Sequence, residues 1–474
     1  MKSNIRILFI KALPVVIMVC ARMISYADIR LPAVIGSNMV LQQQSQVKLW
    51  GWGEPYEKIA VTTSWDNKTY PEIRPDGNAN WLLNITTPAA GGPYTITLKG
   101  HNTIVLTNIM IGEVWICSGQ SNMEMSGNWG LQDIKEVLPV AGNSNIRFFH
   151  IPKATAHGPQ NDCNAQWTVC DSNTLRSFSA VGYFFGKNLN SKLNVPVGLI
   201  EAAWSGSSAE VWTPDSVVNN DDVLKQAATK IAANGQCPNL PGYAYNGMIA
   251  PVKNFAIAGA IWYQGENNTI NALTYPRLFT SMIDAWRKAW DKDIPFYFVQ
   301  VAPFKYQLKN VGALMRESQT QSMKHSNTGM VVITDLVTDT NNVHPANKHD
   351  VGLRLANWAL AETYRQPDVV YKSPIFKNII INKAKAAIQF DNADKGLIIR
   401  GTAVKELFIA GEDKIFYPAD ATVKKNEIIV WSPQVKQPMA VRYGFSNTAI
   451  GNLFGKNGLP VGPFRTDNWP VEVK

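Results

Sequence analysis

The stretch Glu113-Val114-Trp115-Ile116-Cys117-Ser118-Gly119-Gln120-Ser121-Asn122-Met123-Glu124 marks the point where the chain changes character. A short apolar run, residues 113–117, leads directly into a polar segment, residues 118–124, that contains two serines and a glycine. Four further apolar runs of similar length occupy residues 197–203, 257–263, 295–301 and 330–335. Such runs, bounded by turn residues, are typical of strands that are buried on both faces in a parallel sheet.

Helical patterns alternate with these runs. Amphipathic stretches occupy residues 180–193, 275–290, 314–324 and 347–364. Strands that alternate with helices predict an α/β fold in which helices cover both faces of a parallel sheet. Ligands of such folds bind beyond the carboxyl ends of the strands, so the polar motifs that directly follow the apolar runs are the candidate sites.

The regions on either side of this α/β part are β-rich. In residues 28–110 apolar and polar positions alternate, as at Trp81, Leu83 and Ile85, and this pattern predicts a small β-sandwich or jelly roll. Residues 366–474 return to β character. We therefore predict an N-terminal β domain (28–110), a catalytic domain (111–365) and a C-terminal β domain (366–474).

Residues 1–27 have the pattern of a signal peptide. Lys2 and Arg6 precede a mostly apolar segment, and Ser25-Tyr26-Ala27 places small residues before a cleavage site at Asp28. This predicts an exported protein, periplasmic or extracellular, with an uncleaved anchor as the alternative.

Composition excludes several classes of protein. With 46% hydrophobic and 17% charged residues among 474, the chain can bury large cores and does not resemble a disordered protein. No apolar run reaches the roughly 18 residues of a membrane-spanning helix. The net charge of +9 is scattered along the chain, which argues against nucleic acid as a partner. The oligomeric state stays open, and so does whether Cys163 and Cys170 form a disulfide or remain free thiols.

The polar segment 118–124 is the first candidate site. A serine that follows a buried strand has its hydroxyl at the carboxyl edge of the sheet and its amide aimed at the same point. Acyl transfer needs this combination of an exposed nucleophile and a backbone donor to the oxyanion. The alternative is a polar helix cap and turn, which serine and asparagine also serve.

Two further loops follow apolar runs. In residues 204–208 the amide of Gly206 can approach and donate to a ligand, although by itself this is an ordinary loop. In residues 262–268, Gln264 or Asn267 could donate to an oxyanion, and Glu266 could act as a general acid or orient a neighbouring group.

His344 is the histidine that lies in a strand-end loop, residues 339–345, before the last helical stretch. Imidazole suits a general base near neutral pH, although a lone histidine is more often structural. A serine on the first strand-end loop and a histidine near the end of the α/β region together favour ester hydrolysis.

These blocks resemble the sialate O-acetylesterases of the SGNH hydrolase superfamily. The resemblance extends over nearly all of the chain after residue 27 and rests on the segments 112–115, 118–124, 246–251, 262–266, 343–345 and 463–467. It implies a flavodoxin-like catalytic domain with appended β domains.

The resemblance also implies roles for particular residues. Ser121 would be the nucleophile and His344 the base, with the amides of Ser121 and Gly206 and a side-chain amide from residues 264–267 as oxyanion donors. The expected reaction is attack on an acetyl ester, an acetyl-enzyme and release by water. No metal or organic cofactor is implied.

One departure from the family pattern concerns the acid of a triad. SGNH hydrolases often have an aspartate three residues before the histidine, or two residues before it in relatives of this kind, and here Asn341 and Asn342 stand there. Either Asp339 or Asp335 replaces it, or His344 works in a Ser–His dyad, which we favour.

The leading hypothesis is therefore an exported carbohydrate O-acetylesterase that acts on 9-O-acetyl sialic acid. Acetylated xylan or another hemicellulose is the rival substrate. The carboxylate of sialic acid favours a nearby arginine, and the sequence does not place Arg277, Arg287 or Arg316. A carbohydrate-binding protein with a decayed site is a second hypothesis, and a glycosidase with Glu266 as acid is a third, which requires a second carboxylate.

Overall fold

The structure is a computed structural model that describes residues 28–233 and 235–474. The predicted signal peptide, residues 1–27, lies outside the described residues. Within the described part of the chain, no helix is long and apolar enough to cross a membrane.

The N-terminal part is built from strands. They are β1 (Val40–Gln42), β2 (Gln46–Trp52), β3 (Ala60–Thr63), β4 (Lys68–Thr69), β5 (Asn80–Thr86), β6 (Gly91–Lys99) and β7 (Thr103–Gly119). β2 pairs with β5, whereas β3, β4, β6 and the first half of β7 form a second antiparallel arrangement. The alternation predicted in β5 is present, since Trp81 and Ile85 are buried in a cluster that also contains Ile96 of β6.

The central part contains the parallel sheet that the apolar runs predict. Its further strands are β8 (Asn143–His150), β9 (Trp167–Cys170), β10 (Val197–Ala203), β11 (Gly259–Tyr263), β12 (Phe296–Val299) and β13 (Thr328–Val331). The strand order is β13-β12-β11-β7-β10-β8-β9, and every pairing in this order is parallel except that of β8 with β9.

Helices lie on both faces of this sheet, as predicted. They are α1 (Ser121–Glu124), α2 (Gln132–Val137), α3 (Ser172–Arg176), α4 (Ala180–Leu193), α5 (Asp215–Asn219), α6 (Asp222–Ala228), α7 (Tyr275–Trp290), α8 (Val311–Ser322) and α9 (His349–Trp358). Alternate residues of β7 face opposite ways because strand side chains have a period of two. Ile116 therefore joins the apolar cluster that contains α7 residues, and Cys117 joins the cluster that contains α4 and α9 residues.

Strand β7 belongs both to the antiparallel sheet of the N-terminal part and to the parallel sheet of the central part. Its first half pairs antiparallel with β6, and its second half lies between β10 and β11 as the parallel centre of the sheet. The predicted boundary after residue 110 thus falls inside a continuous strand of 17 residues. The two parts share a backbone element, and their orientation is set by strand pairing.

The C-terminal part forms β-sheets around an apolar cluster of its own. Its strands are β14 (Ile375–Asn382), β15 (Lys385–Asp391), β16 (Leu397–Ile399), β17 (Leu407–Ala410), β18 (Tyr417–Pro418), β19 (Asp420–Lys424), β20 (Glu427–Trp431), β21 (Ala440–Tyr443), β22 (Leu453–Gly455) and β23 (Phe464–Arg465). The molecule is therefore mixed α/β, with β-rich regions before and after the parallel sheet along the chain.

One C-terminal residue, Asn447, is hydrogen-bonded to the loop after β12 and to the start of α8. Asn447 accepts from the amide of Gly312 at 2.9 Å, donates to the carbonyl of Leu308 at 2.7 Å, and through its own carbonyl accepts from the amide of Phe304 at 2.9 Å. The next amide in that loop, Lys305, donates to the carbonyl of Thr340 at 2.8 Å. The C-terminal part is thereby connected to the loop that precedes His344.

Cys163 and Cys170 are free thiols in the structure. The thiol of Cys170 is buried and donates to the carbonyl of Ala141 at 3.2 Å. Of the two interpretations that the sequence left open, the structure has the unbonded one.

Gly119, the last residue of β7, has a conformation that only glycine adopts easily, with φ at +138°. A Cβ atom there would lie 2.2 Å from the carbonyl oxygen of Tyr263. We expect Gly119→Ala to lower the free energy of unfolding by at least about 2 kcal/mol, because it adds backbone strain and a clash with backbone. Urea denaturation measures this loss.

The matched control is Gly142→Ala, because a Cβ atom on Gly142 would have no neighbouring atom within 4 Å and the residue is not in a left-handed conformation. Equal stability of the two variants would contradict the constraint at Gly119.

Candidate active site

Ser121 lies at the carboxyl edge of the parallel sheet, two residues beyond the end of β7. The turn at Gly119 places it at the start of α1, where its side chain is 7% exposed. Its backbone N–H makes no hydrogen bond with another described residue. Hydroxyl and amide therefore belong to the same turn, as the polar segment predicts.

The loop after β10 brings Gly206 to the same edge. Gly206 has a φ of +74°, and its N–H also lacks a hydrogen-bond partner within the described residues. The carboxylate of Glu124, which ends α1, accepts from the amide of Ser205 at 2.6 Å. This bond holds the Gly206 loop against the helix turn that contains Ser121.

The loop after β11 shows different environments for Gln264 and Asn267, the two side-chain amides that the sequence left as alternative donors. The amide nitrogen of Gln264 is fully buried and donates to Asn268 at 2.6 Å and to the carbonyl of Ser207 at 3.3 Å. Both of its N–H groups are thus engaged inside the protein. Asn267 is half-buried, and its side chain makes no hydrogen bond to another described residue. Asn267 is therefore the amide of this segment that is free to donate.

Gln120 is a side chain at this edge that the sequence did not single out. Its side-chain oxygen accepts from the backbone amides of Gly265 at 3.3 Å and Asn267 at 3.4 Å. These bonds orient the amide, so its nitrogen points away from them. The signal was its place beside Ser121 in the quoted motif, yet glutamine before a turn is too common to be assigned a role from sequence.

His344 lies on the loop that precedes α9, and aromatic packing positions its ring. The ring of Trp129 meets the imidazole edge-to-face with centroids 5.7 Å apart. The imidazole makes no hydrogen bond with any residue that the structure describes, and this includes the hydroxyl of Ser121. Catalytic hydrogen bonds of free enzymes are often long and tighten only when substrate binds.

The two candidate acids of a triad are engaged elsewhere. The carboxylate of Asp339 accepts from the backbone and side-chain nitrogens of Asn341, at 2.9 and 3.0 Å. Asp335 forms a bidentate ion pair with Arg354. Asn342 accepts from the backbone amide of His344 at 2.9 Å and so shapes its loop.

Asn122 joins the segments that carry Ser121 and His344. Its amide nitrogen donates to the carbonyl of Val343 at 3.1 Å and to the carboxylate of Glu266 at 2.6 Å. Adjacent residues have Cα atoms only about 3.8 Å apart, so a bond between the neighbours of Ser121 and His344 puts both on adjoining loops. Glu266 is buried and supports this junction rather than facing solvent.

Burial and a nearby cation both affect the pKa of His344, the candidate base. Desolvation lowers the pKa of His344 below its ordinary value of 6.5, and the positive charge of Lys348 lowers it further. Burial raises the pKa of Glu266. Within the described residues, no cluster of His, Cys, Asp and Glu side chains is arranged to hold a metal ion.

The arrangement is suited to acyl transfer. A serine hydroxyl, two backbone amides without partners in the described residues, a free asparagine amide and an imidazole lie on the loops that follow β7, β10, β11 and β13. Comparison with known proteins then decides the family. The model of the carbohydrate esterase family described as sialic acid-specific acetylesterase matches residues 111–361, more than half of the chain.

The chain belongs to this carbohydrate esterase family. It is accordingly a carboxylic ester hydrolase, and its substrate class is acetylated carbohydrate.

Similar proteins carry consistent names. A carbohydrate acetylesterase from Xanthomonas citri, known from a crystal structure, is 34% identical, with a TM-score of 0.85 and coverage of 93% of this chain and 100% of that one. Sialate O-acetylesterase of Mus musculus is 27% identical over 432 residues, which cover 77% of this chain and 79% of that protein. Sialate O-acetylesterase of Homo sapiens is 28% identical over 388 residues, 74% of each chain.

The depressed pKa of His344 predicts activity in mildly acidic solution. A general base works when it is neutral, and a lowered pKa keeps imidazole neutral at lower pH. We expect the acidic limb of a plot of kcat/KM against pH to have its midpoint below 6.5, the ordinary value for histidine.

The control is His325→Asn, which removes a histidine that pairs with Asp284 outside the site and should leave the limb in place. A midpoint above 6.5 in the unaltered enzyme would contradict the assignment of the base.

Proposed function

We propose that the protein is an exported O-acetylesterase that removes acetyl groups from sialic acid, with the 9-O-acetyl form as the leading substrate. Membership of the esterase family supports the reaction class. The observation that carries the residue assignments is the hydrogen bond from Asn122 to Val343, which joins the loops of Ser121 and His344.

In the proposed mechanism the hydroxyl of Ser121 attacks the acetyl carbonyl while the imidazole of His344 takes its proton. The tetrahedral oxyanion accepts hydrogen bonds from the amides of Ser121 and Gly206 and from the side chain of Asn267. The imidazolium returns the proton to the leaving sugar hydroxyl. Water then attacks the acetyl-enzyme, gives a proton to His344 and releases acetate, and that proton restores the serine hydroxyl.

A Ser–His dyad is part of this proposal. Asp339 and Asp335 are hydrogen-bonded to Asn341 and Arg354, and neither carboxylate makes a hydrogen bond to the imidazole. Trp129 restricts the rotation of the His344 ring by packing against it. Dyad chemistry fits a base whose pKa is low, because the imidazolium then gives up its proton readily.

A second substrate class, acetylated xylan or a similar polysaccharide, is favoured by the positions of the arginines. Arg277 pairs with Asp221, whereas Arg287 and Arg316 donate to backbone carbonyls. Each of these three side chains thus has a partner within the protein, and those of Arg287 and Arg316 are also buried. The relative from Xanthomonas citri, at 34% identity, is described only as a carbohydrate acetylesterase.

Trp129 offers a surface for a sugar ring in either case. Its side chain is 44% exposed although it contacts the catalytic-base candidate His344. Aromatic faces pack well against the apolar faces of ring-shaped ligands.

The finer classification and the location belong to the same proposal. We assign the parallel sheet with its helices to the flavodoxin-like SGNH hydrolases, with domain limits at 28–110, 111–365 and 366–474. The composition of residues 1–27 supports export to the periplasm or the extracellular space. Mass spectrometry of the protein recovered from the periplasm or the medium of its host tests this, and an N-terminus at Asp28 is the expected result.

We expect Ser121→Ala to reduce acetate release from p-nitrophenyl acetate by at least about 10³-fold, because no other group replaces the nucleophile. Ser144→Ala, at an exposed position of β8, is the control and should retain full activity.

A fluorophosphonate probe should label Ser121 in the unaltered enzyme and nothing in the Ser121→Ala variant. A carbohydrate-binding protein with a decayed site would remain unlabelled, and unchanged turnover in the variant would remove Ser121 as the nucleophile.

Acetate release from 9-O-acetyl sialic acid, compared with release from acetylated xylan, tests the substrate. We expect a higher kcat/KM for the sialic acid ester. Preference for xylan would assign the site to the second substrate class and leave the mechanism in place.

A further inference from the structure

Lys348 has a charged side chain to which the proposed mechanism gives no role. It follows His344 by four residues and precedes α9, yet it is completely buried. A lysine is almost never fully buried unless it is paired. Its environment therefore indicates a specific role for the charge.

The contacts of Lys348 connect the parts of the site. Its ammonium donates to the side-chain oxygen of Asn122 at 2.6 Å and lies 5.5 Å from the centre of the Tyr263 ring. Its backbone amide donates to Asp133 of α2 at 2.8 Å. Asn122 in turn binds Glu266 and the carbonyl of Val343. One side chain thus ties the histidine segment to the turn of the nucleophile.

The charged and titratable groups around Lys348 come from each neighbouring element. Glu266, after β11, and Asp133, on α2, are the negative groups, and His344 on the same loop is the base. One oxygen of Glu266 and the hydroxyls of Tyr263 and Tyr306 are buried without a hydrogen-bond partner in the described residues.

We propose that Lys348 is a positioning residue of the esterase site, which fastens the His344 loop to the Ser121 turn and holds a positive charge beside the imidazole. This inference rests on the proposed function, because it assigns Lys348 to the same nucleophile and base. Lys348 touches neither substrate nor reacting atoms. It acts through Asn122 and through its field at His344.

The charge has a defined consequence for the base. A cation near imidazole disfavours the imidazolium and keeps the ring neutral at lower pH. Burial lowers the pKa of Lys348 itself to about 7, with Glu266 and Asp133 opposing that shift. Two interacting groups that titrate in one range share their titration steps, so the acidic limb of the rate profile belongs to the pair.

The test replaces Lys348 with methionine, which keeps the length of the stem and removes the charge. In Lys348→Met we expect the plateau of kcat/KM to fall about tenfold or more. We expect the midpoint of the acidic limb to rise on the order of one pH unit. Ring-proton NMR should report the same rise in the pKa of His344.

Lys292→Met is the control, because Lys292 lies outside the site and donates to the carbonyl of Ile257 at the opposite edge of the sheet. It should leave the midpoint unchanged. Lys348→Gln is a second neutral variant that can still donate to Asn122, and it keeps the test decisive where the methionine variant does not fold.

A folded neutral variant whose plateau falls without any movement of the limb would overturn the inference, because a purely structural role moves only the plateau. Fluorophosphonate labelling of the unaltered enzyme separates this failure from that of the proposed function. If Ser121 is labelled and the acidic limb does not move, only the role of Lys348 is contradicted. If Ser121 is not labelled, the esterase assignment is contradicted, and the role of Lys348 rests on that assignment.

Discussion

The pairing of strand β7 on both edges is the constraint from which the geometry of the site follows. Its second half is flanked by β10 and β11 in parallel register, and neighbouring strands lie about 4.8 Å apart. The loops after these three strands therefore emerge side by side. They carry Ser121, Gly206 and Asn267 in turn, so residues far apart in sequence lie at the same edge of the sheet. The first half of β7 anchors the N-terminal β-sheet to the same element.

A buried polar junction completes what strand pairing begins. His344 lies on the segment between β13 and α9, and Asn122 holds that segment against the turn that contains Ser121. Burial of Lys348 and Glu266 in this junction costs desolvation energy, which their mutual attraction only partly offsets. The two buried charges therefore contribute little to the stability of the fold. Their burial has a physical reason if the two groups fix the geometry of the site and its electrostatic field.

The β-rich C-terminal part contributes to the site indirectly. Asn447 binds two backbone groups of the loop after β12 and the amide of Gly312 in α8, and that loop binds the carbonyl of Thr340. Arg465 adds a bidentate ion pair with Glu317 of α8. The position of the His344 loop thus depends on packing between sequence-distant parts.

The amino-acid sequence by itself determined the elements and the motifs. Apolar runs placed the strands, amphipathic periods gave the bounds of α4 and α7, and polar residues after strands marked Ser121, Gly206 and His344, because these signals are local. Tertiary structure alone decided which amides are free. Gln264 and Asn267 are equivalent donors in sequence, yet one is enclosed and the other is not. Lys348 had no signal, since lysine near a helix start is usually solvated. Its burial, like the engagement of Asp339 with Asn341, arises from contacts between segments that no local pattern encodes.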